Sequence, residues 1–97
     1  LEQNRKFVIA SQLLKSGTSI GANIREAQNA ESILDFIHKM KLAAKEAEET
    51  EYWLLLCNKP ENYPASAELL LTLSSIKKLL SKIISTTKKK ISKSPNQ

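Results

Sequence analysis

At 97 residues with a net charge of +5, the chain is one small domain at most, and a fold of this size leaves roughly 35 to 40% of its unfolded surface in water, so further burial by self-association matters. Two glycines and three prolines among plentiful Ala, Leu, Lys and Glu are too few turn-formers for a sheet protein, which points to an all-α class. One cysteine, Cys57, rules out an internal disulfide; no signal peptide is visible, and the leucine-rich stretch 69–84 is broken by Lys77, Lys78 and Lys82, so a cytoplasmic protein with no membrane partner is expected.

The first helix is expected over residues 2–29. Its apolar or small positions fall at Phe7, Ala10, Leu13, Leu14, Gly17, Ile20, Gly21, Ile24 and Ala27, the period of one helical face. Both glycines of the chain lie inside that arc. Each costs about 1 kcal/mol relative to alanine in a helix interior, so close packing of another backbone at Gly17 and Gly21 is the expected compensation. A turn at Ser16–Gly17, splitting the helix, is the rival reading. Beside the arc runs a polar row, Gln12, Ser16, Ser19, Asn23 and Glu26, read as interhelical hydrogen bonding in preference to a ligand groove.

The second helix is expected over 32–58. Ser32 is placed to cap it, with Asp35 at the third position of a capping box. Phe36, Met40, Ala43, Ala47, Thr50, Leu54 and Cys57 alternate by four and three, which makes a heptad seam with small residues at its centre. A further line, Leu42, Glu46, Glu49, Trp53 and Leu56, lies off that seam and is expected to meet a fourth helix or another subunit. "NKPENYPA", residues 58–65, is the loop signal. A third helix over 66–92 follows, with its seam at Leu69, Leu73, Ile76, Leu80, Ile83, Thr87 and Ile91 and a flexible basic tail at 93–97. Long helices with short connections pack antiparallel, so a single up-down-up helical-bundle domain over 1–97 is expected.

The stretches "SQLLKSGTSIGANIREAQNAES", "DFIHKMKLAAKEAEETEYWLLL" and "ISTTKKKIS" resemble the family named after the 23S rRNA intervening sequence, also called S23, with a match over about residues 7–92. The resemblance implies an antiparallel four-helix bundle that assembles into a homo-oligomeric ring, commonly a pentamer. It also implies a helix ahead of the first one seen here, which is expected to be missing from this sequence, as the chain starts at Leu1 with no initiator methionine. More distantly the chain is similar to the accessory protein of diversity-generating retroelements, which works with nucleic acid. The family's own biochemical role is poorly defined.

Little in the sequence suggests catalysis. His38 is the only histidine, no metal-ligand spacing joins it to Cys57, and neither glycine forms a phosphate-cradling loop, so no enzyme, no cofactor and no small-molecule substrate are expected. Glu46, Glu48, Glu49 and Glu51 point in different directions around a helix. Lys77 and Lys78 reach their height in an antiparallel hairpin, so solvated ion pairing accounts for them.

The last third of the chain is more informative, because residues 65–97 carry seven lysines and one acid. Lys78, Lys82, Lys89 and Lys93 share one outer stripe, about 22 Å long at 1.5 Å per residue, and Lys88 and Lys90 widen its end. Such a ridge attracts RNA or DNA phosphates by counterion release, or else serves only as a solvated face. No arginine, asparagine or aromatic interrupts it, so binding indifferent to base sequence is expected. The alternative function is a protein–protein scaffold with no nucleic-acid role.

Overall fold

In a computed structural model the backbone is described for residues 2–57 and 66–93, and side chains for 4–56 and 67–92. Three α-helices are present among the described residues: α1 (Glu2–Gln28), α2 (Ile33–Cys57) and α3 (Ser66–Lys93). The expected loop 58–65, the Cys57 thiol, the Lys93 side chain and the tail from residue 94 lie outside the described residues.

α1 runs unbroken through both glycines, and neither has a positive φ, so the rival turn at Ser16–Gly17 is absent. The helix closes with tight i→i−3 bonds: the Asn29 and Ala30 N–H groups donate to the Glu26 and Ala27 carbonyls, each at 3.1 Å. Ser32 then caps α2 as expected. The Asp35 N–H donates to Ser32 Oγ at 3.0 Å, while Asp35 Oδ2 accepts from the Glu31 N–H at 3.4 Å, one residue earlier than a strict capping box requires.

Cross-helix pairs fix the topology. Thr50 meets Ser16 and Lys39 meets Glu26, so α2 runs antiparallel to α1; Lys77 meets Glu48 and Glu51, so α3 runs antiparallel to α2. α2 packs on both neighbours, and among the described residues no Cα of α1 comes within 8 Å of one in α3. The body measures 58 × 21 × 14 Å, a thin slab with α2 shared between two hairpins.

This sharing explains why the α2 seam carries small residues. Ala43 and Ala47 are fully buried, with Met40 and Leu54 on either side, and they let two helices approach one. Ile20 and Ala27 of α1 and Leu73 and Leu80 of α3 complete the buried cluster. Ile37, off the seam, is buried too, because a helix with two neighbours hides a wider arc than one seam.

Two expectations need correcting. A Cβ built at Gly17 or Gly21 has no neighbour within 4 Å, so the close packing expected at these glycines is missing among the described residues. Gly21 faces out, and Gly17 borders an open groove. Leu69, expected in the α3 seam, is 51% exposed and lines the same groove.

Two members of the polar row on α1, Ser16 and Glu26, connect helices, while Ser19 donates to the Lys15 carbonyl of its own helix. Ser16 is 1% and Thr50 7% exposed, and Thr50 Oγ1 donates to Ser16 Oγ at 2.9 Å. Further along, Glu26 reaches Lys39 Nζ at 3.0 Å. Asn23 turns back on its own helix and donates to the Ser19 carbonyl.

Candidate nucleic-acid interface

α3 is amphipathic along its whole length: Leu73 and Leu80 turn towards α2, which leaves Lys78, Lys82, Lys88, Lys89 and Lys90 on the exposed side. None of these five has a carboxylate within 4.0 Å among the described residues. The ridge is not purely ionic. Leu71 and Leu79 are also exposed on α3, and Lys82 shares a shallow depression with Leu79, Ile83 and Thr87.

Lysines nearer the acidic part of α2 behave differently. Lys77 Nζ lies 2.9 Å from both Glu48 Oε1 and Glu51 Oε1. Hydrogen bonds to Glu48 and then Glu51 raise its pKa above the usual lysine value. The expected ion pairing of the glutamate cluster therefore falls on Lys77, while Lys78 has no such pair. Lys39 is raised in the same way by Glu26. The two paired cations thus lie between helices, and the five exposed lysines of α3 carry no such pair among the described residues.

One cation of this surface lies off the stripe. Lys41 of α2 stands beside Lys88, and hydrogen-bond-range contact with Lys41, together with its charge, pushes the Lys88 pKa down. The two share a furrow with Ser81, Ser85 and Lys89 over Ile84. The register set by Lys77 opposite Glu48 and Glu51 brings Lys88 about three turns further along, opposite Lys41. That signal was present in the sequence once the ion pair was assigned.

The line expected to meet another subunit is mixed in its exposure. Leu42, Glu46 and Trp53 are half-buried within the chain, while Glu49 and Leu56 are exposed. Trp53 stands edge-on to Tyr52 with ring centroids 5.0 Å apart, and its Nε1 is buried without a hydrogen-bond partner among the described residues. Tyr52, Leu55 and Leu56 form an exposed apolar end to α2.

Between α1 and α3 lies the open groove, about 260 Å³, walled by Leu13, Gly17 and Ile20 on one side and Leu69, Leu73 and Ile76 on the other. Thr50 and Leu54 of α2 form its floor. No group of three or more His, Cys, Asp or Glu side chains is placed to hold a metal ion among the described residues. None of the described helices is long and apolar enough to cross a membrane.

Antiparallel helices sharing a central α2, with a basic outer edge and a core face open on one side, define an all-α helical-bundle protein. The chain belongs to the 23S rRNA-intervening sequence protein family, whose model matches residues 1–86. A crystal structure of a protein of unknown function from the S23 ribosomal protein family of Bacteroides thetaiotaomicron is similar to it, with 47% identity and a TM-score of 0.76 over 86% of this chain and 79% of that one. No curated protein matches.

Proposed function

We propose that this chain is a non-enzymatic subunit of a homo-oligomer, in the cytoplasm, that associates with the phosphate backbone of RNA or DNA. The observation that carries the reading is the α3 face itself: Lys78, Lys82, Lys88, Lys89 and Lys90 are exposed and free of carboxylate partners among the described residues, while Lys77 and Lys39 are paired. Cations arranged in this way release counterions when they meet phosphates. Repetition of the ridge around a ring multiplies the effect, and a pentamer is the expected size.

The open groove supports a four-helix bundle as the complete fold. A fourth helix laid over Leu13, Leu69 and Ile76 covers apolar surface that three helices leave in water. The exposed Tyr52, Leu55 and Leu56, continuous with the Trp53 line, support subunit contact at that end of α2. The same patch favours the second reading, a protein–protein scaffold.

The test reverses charge at two ridge positions. Lys82→Glu with Lys89→Glu weakens binding to unrelated oligonucleotides about equally and reduces the salt slope by about 1.4, at 0.7 per single-strand contact. Helicity and the multimeric mass from light scattering stay unchanged. Wild-type protein that binds no oligonucleotide at low salt sinks the nucleic-acid reading in favour of the scaffold, and a clean monomer sinks the oligomer.

A further inference from the structure

We propose that the furrow between α2 and α3 grips one phosphate group of a nucleic-acid strand, with Lys41 and Lys88 as its two cationic walls. The inference rests on the backbone-binding reading above, and adds to it a defined point where the strand leaves the α3 ridge and crosses onto α2.

The furrow is built by packing rather than by chance approach of long side chains. Leu80, 2% exposed, locks α3 onto α2 about two turns before Lys88, and the Lys77 clamp on Glu48 and Glu51 fixes the register one turn before that. Ile84, half-buried against the core cluster, floors the furrow between them. Lys41 and Lys88 are therefore held on opposite walls by the two helices that carry them.

The chemistry of the lining selects an anion. Its titratable groups are all lysines, Lys41 from α2 and Lys88 and Lys89 from α3, and no carboxylate lines it. α1 contributes nothing to it. Ser81 and Ser85 add hydroxyl donors at i and i+4 on the α3 wall. Two ammonium groups facing each other repel until something negative lies between them, and the depressed pKa of Lys88 is the mark of that repulsion. A phosphate offers several acceptor oxygens to donors on both sides at once. Lys78 and Lys90, exposed on α3 outside the furrow, make point contacts. Lys41 and Lys88 together neutralise one phosphate.

That stoichiometry separates the furrow from general basic surface. Removing both walls removes one phosphate contact, so Lys41→Gln with Lys88→Gln lowers the salt slope for oligothymidylate binding by about 0.7. Lys78→Gln with Lys90→Gln, which removes as many charges at positions outside the furrow, lowers it by about 1.4. All four positions are exposed, and circular dichroism confirms that the variants fold. Alongside, the ¹³Cε titration of Lys88 is followed in the wild-type protein. Its midpoint rises on adding oligothymidylate, and rises without any ligand in Lys41→Gln.

Equal slope losses in the two double variants make Lys41 and Lys88 independent contacts and overturn the proposal. A Lys88 midpoint that Lys41→Gln leaves in place does the same. If wild-type protein binds no oligothymidylate but inorganic phosphate still raises the Lys88 midpoint, the backbone reading falls and the furrow stands as a site for free phosphate. If neither probe moves Lys88, the furrow itself is refuted.

Discussion

The hydroxyl pair between α1 and α2 offers a test of the packing in which the two partners should fail to add. Ser16 and Thr50 are both buried; Thr50 Oγ1 donates to Ser16 Oγ at 2.9 Å and has a second acceptor in the Glu46 carbonyl at 2.8 Å. Ser16 in turn donates to the Leu13 carbonyl at a longer 3.3 Å. Thr50→Val keeps the shape and removes the link, at a cost of about 1 kcal/mol. Ser16→Ala loses the same link but gains a few tenths of a kcal/mol in helix propensity, and Thr50 keeps its carbonyl acceptor, so its net cost is about 0.5 kcal/mol. With both partners apolar nothing polar is stranded, and the double variant costs no more than Thr50→Val alone. Helix propensity cancels in the cycle, leaving a coupling of about 1 kcal/mol, or roughly 4 to 8 °C in Tm for a domain of this size. Thermal and urea unfolding followed by circular dichroism measure it. Single costs that add to within about 0.3 kcal/mol would show that the hydroxyls are not linked and that the α1/α2 register is wrong.

The glycines give a prediction whose sign reports on the groove. Among the described residues a new Cβ meets nothing, so Gly17→Ala and Gly21→Ala each raise stability by about 1 kcal/mol in thermal melts. A fourth helix or a second copy bedded in the groove reverses the sign at Gly17, which lines it, and leaves Gly21→Ala stabilising. Lys77 sets a pH dependence: its pKa is raised in the folded state, so its contribution is complete below the ordinary lysine value and is lost as pH rises through the folded one. Its partners are partly exposed, so Lys77→Met costs no more than about 1 kcal/mol at neutral pH, and the difference from wild type closes in alkaline melts; a difference that persists there refutes the ion-pair account.

How far the structure could be read from the sequence depends on how local each feature is. The helices follow from apolar period and from Ser32, and the end of α1 at Gln28 and the start of α2 at Ile33 each fall within a residue of expectation. The pairing of Lys77 with the α2 glutamates needed only an antiparallel hairpin, and the interhelical role of Ser16 needed only its place beside the apolar arc. The close packing expected at Gly17 and Gly21 finds no partner among the described residues, because an apolar arc says which side of a helix turns inward but not whether a neighbour is there to meet it. Leu69 fails for the same reason at the start of α3. Lys41 was missed because its partner is set by the α2/α3 register, a property of two helices together. Ile37 shows the limit of a single seam for a helix with two neighbours.

The wide backbone spacing between α1 and α3 has a consequence for how the molecule opens. Among the described residues the backbone of each outer helix packs on α2 alone, so losing one leaves most of the packing of the other intact, and the chain divides into two overlapping cooperative units that share a middle member. Amide protons on α2 at Ala43 and Ala47 should exchange last, since both units must come apart to free them. The outer faces of α1 and α3 exchange earlier, each on its own schedule. A partner that bridges α1 and α3 across the groove joins the two units into one, and slows exchange in helices it touches only at their edges.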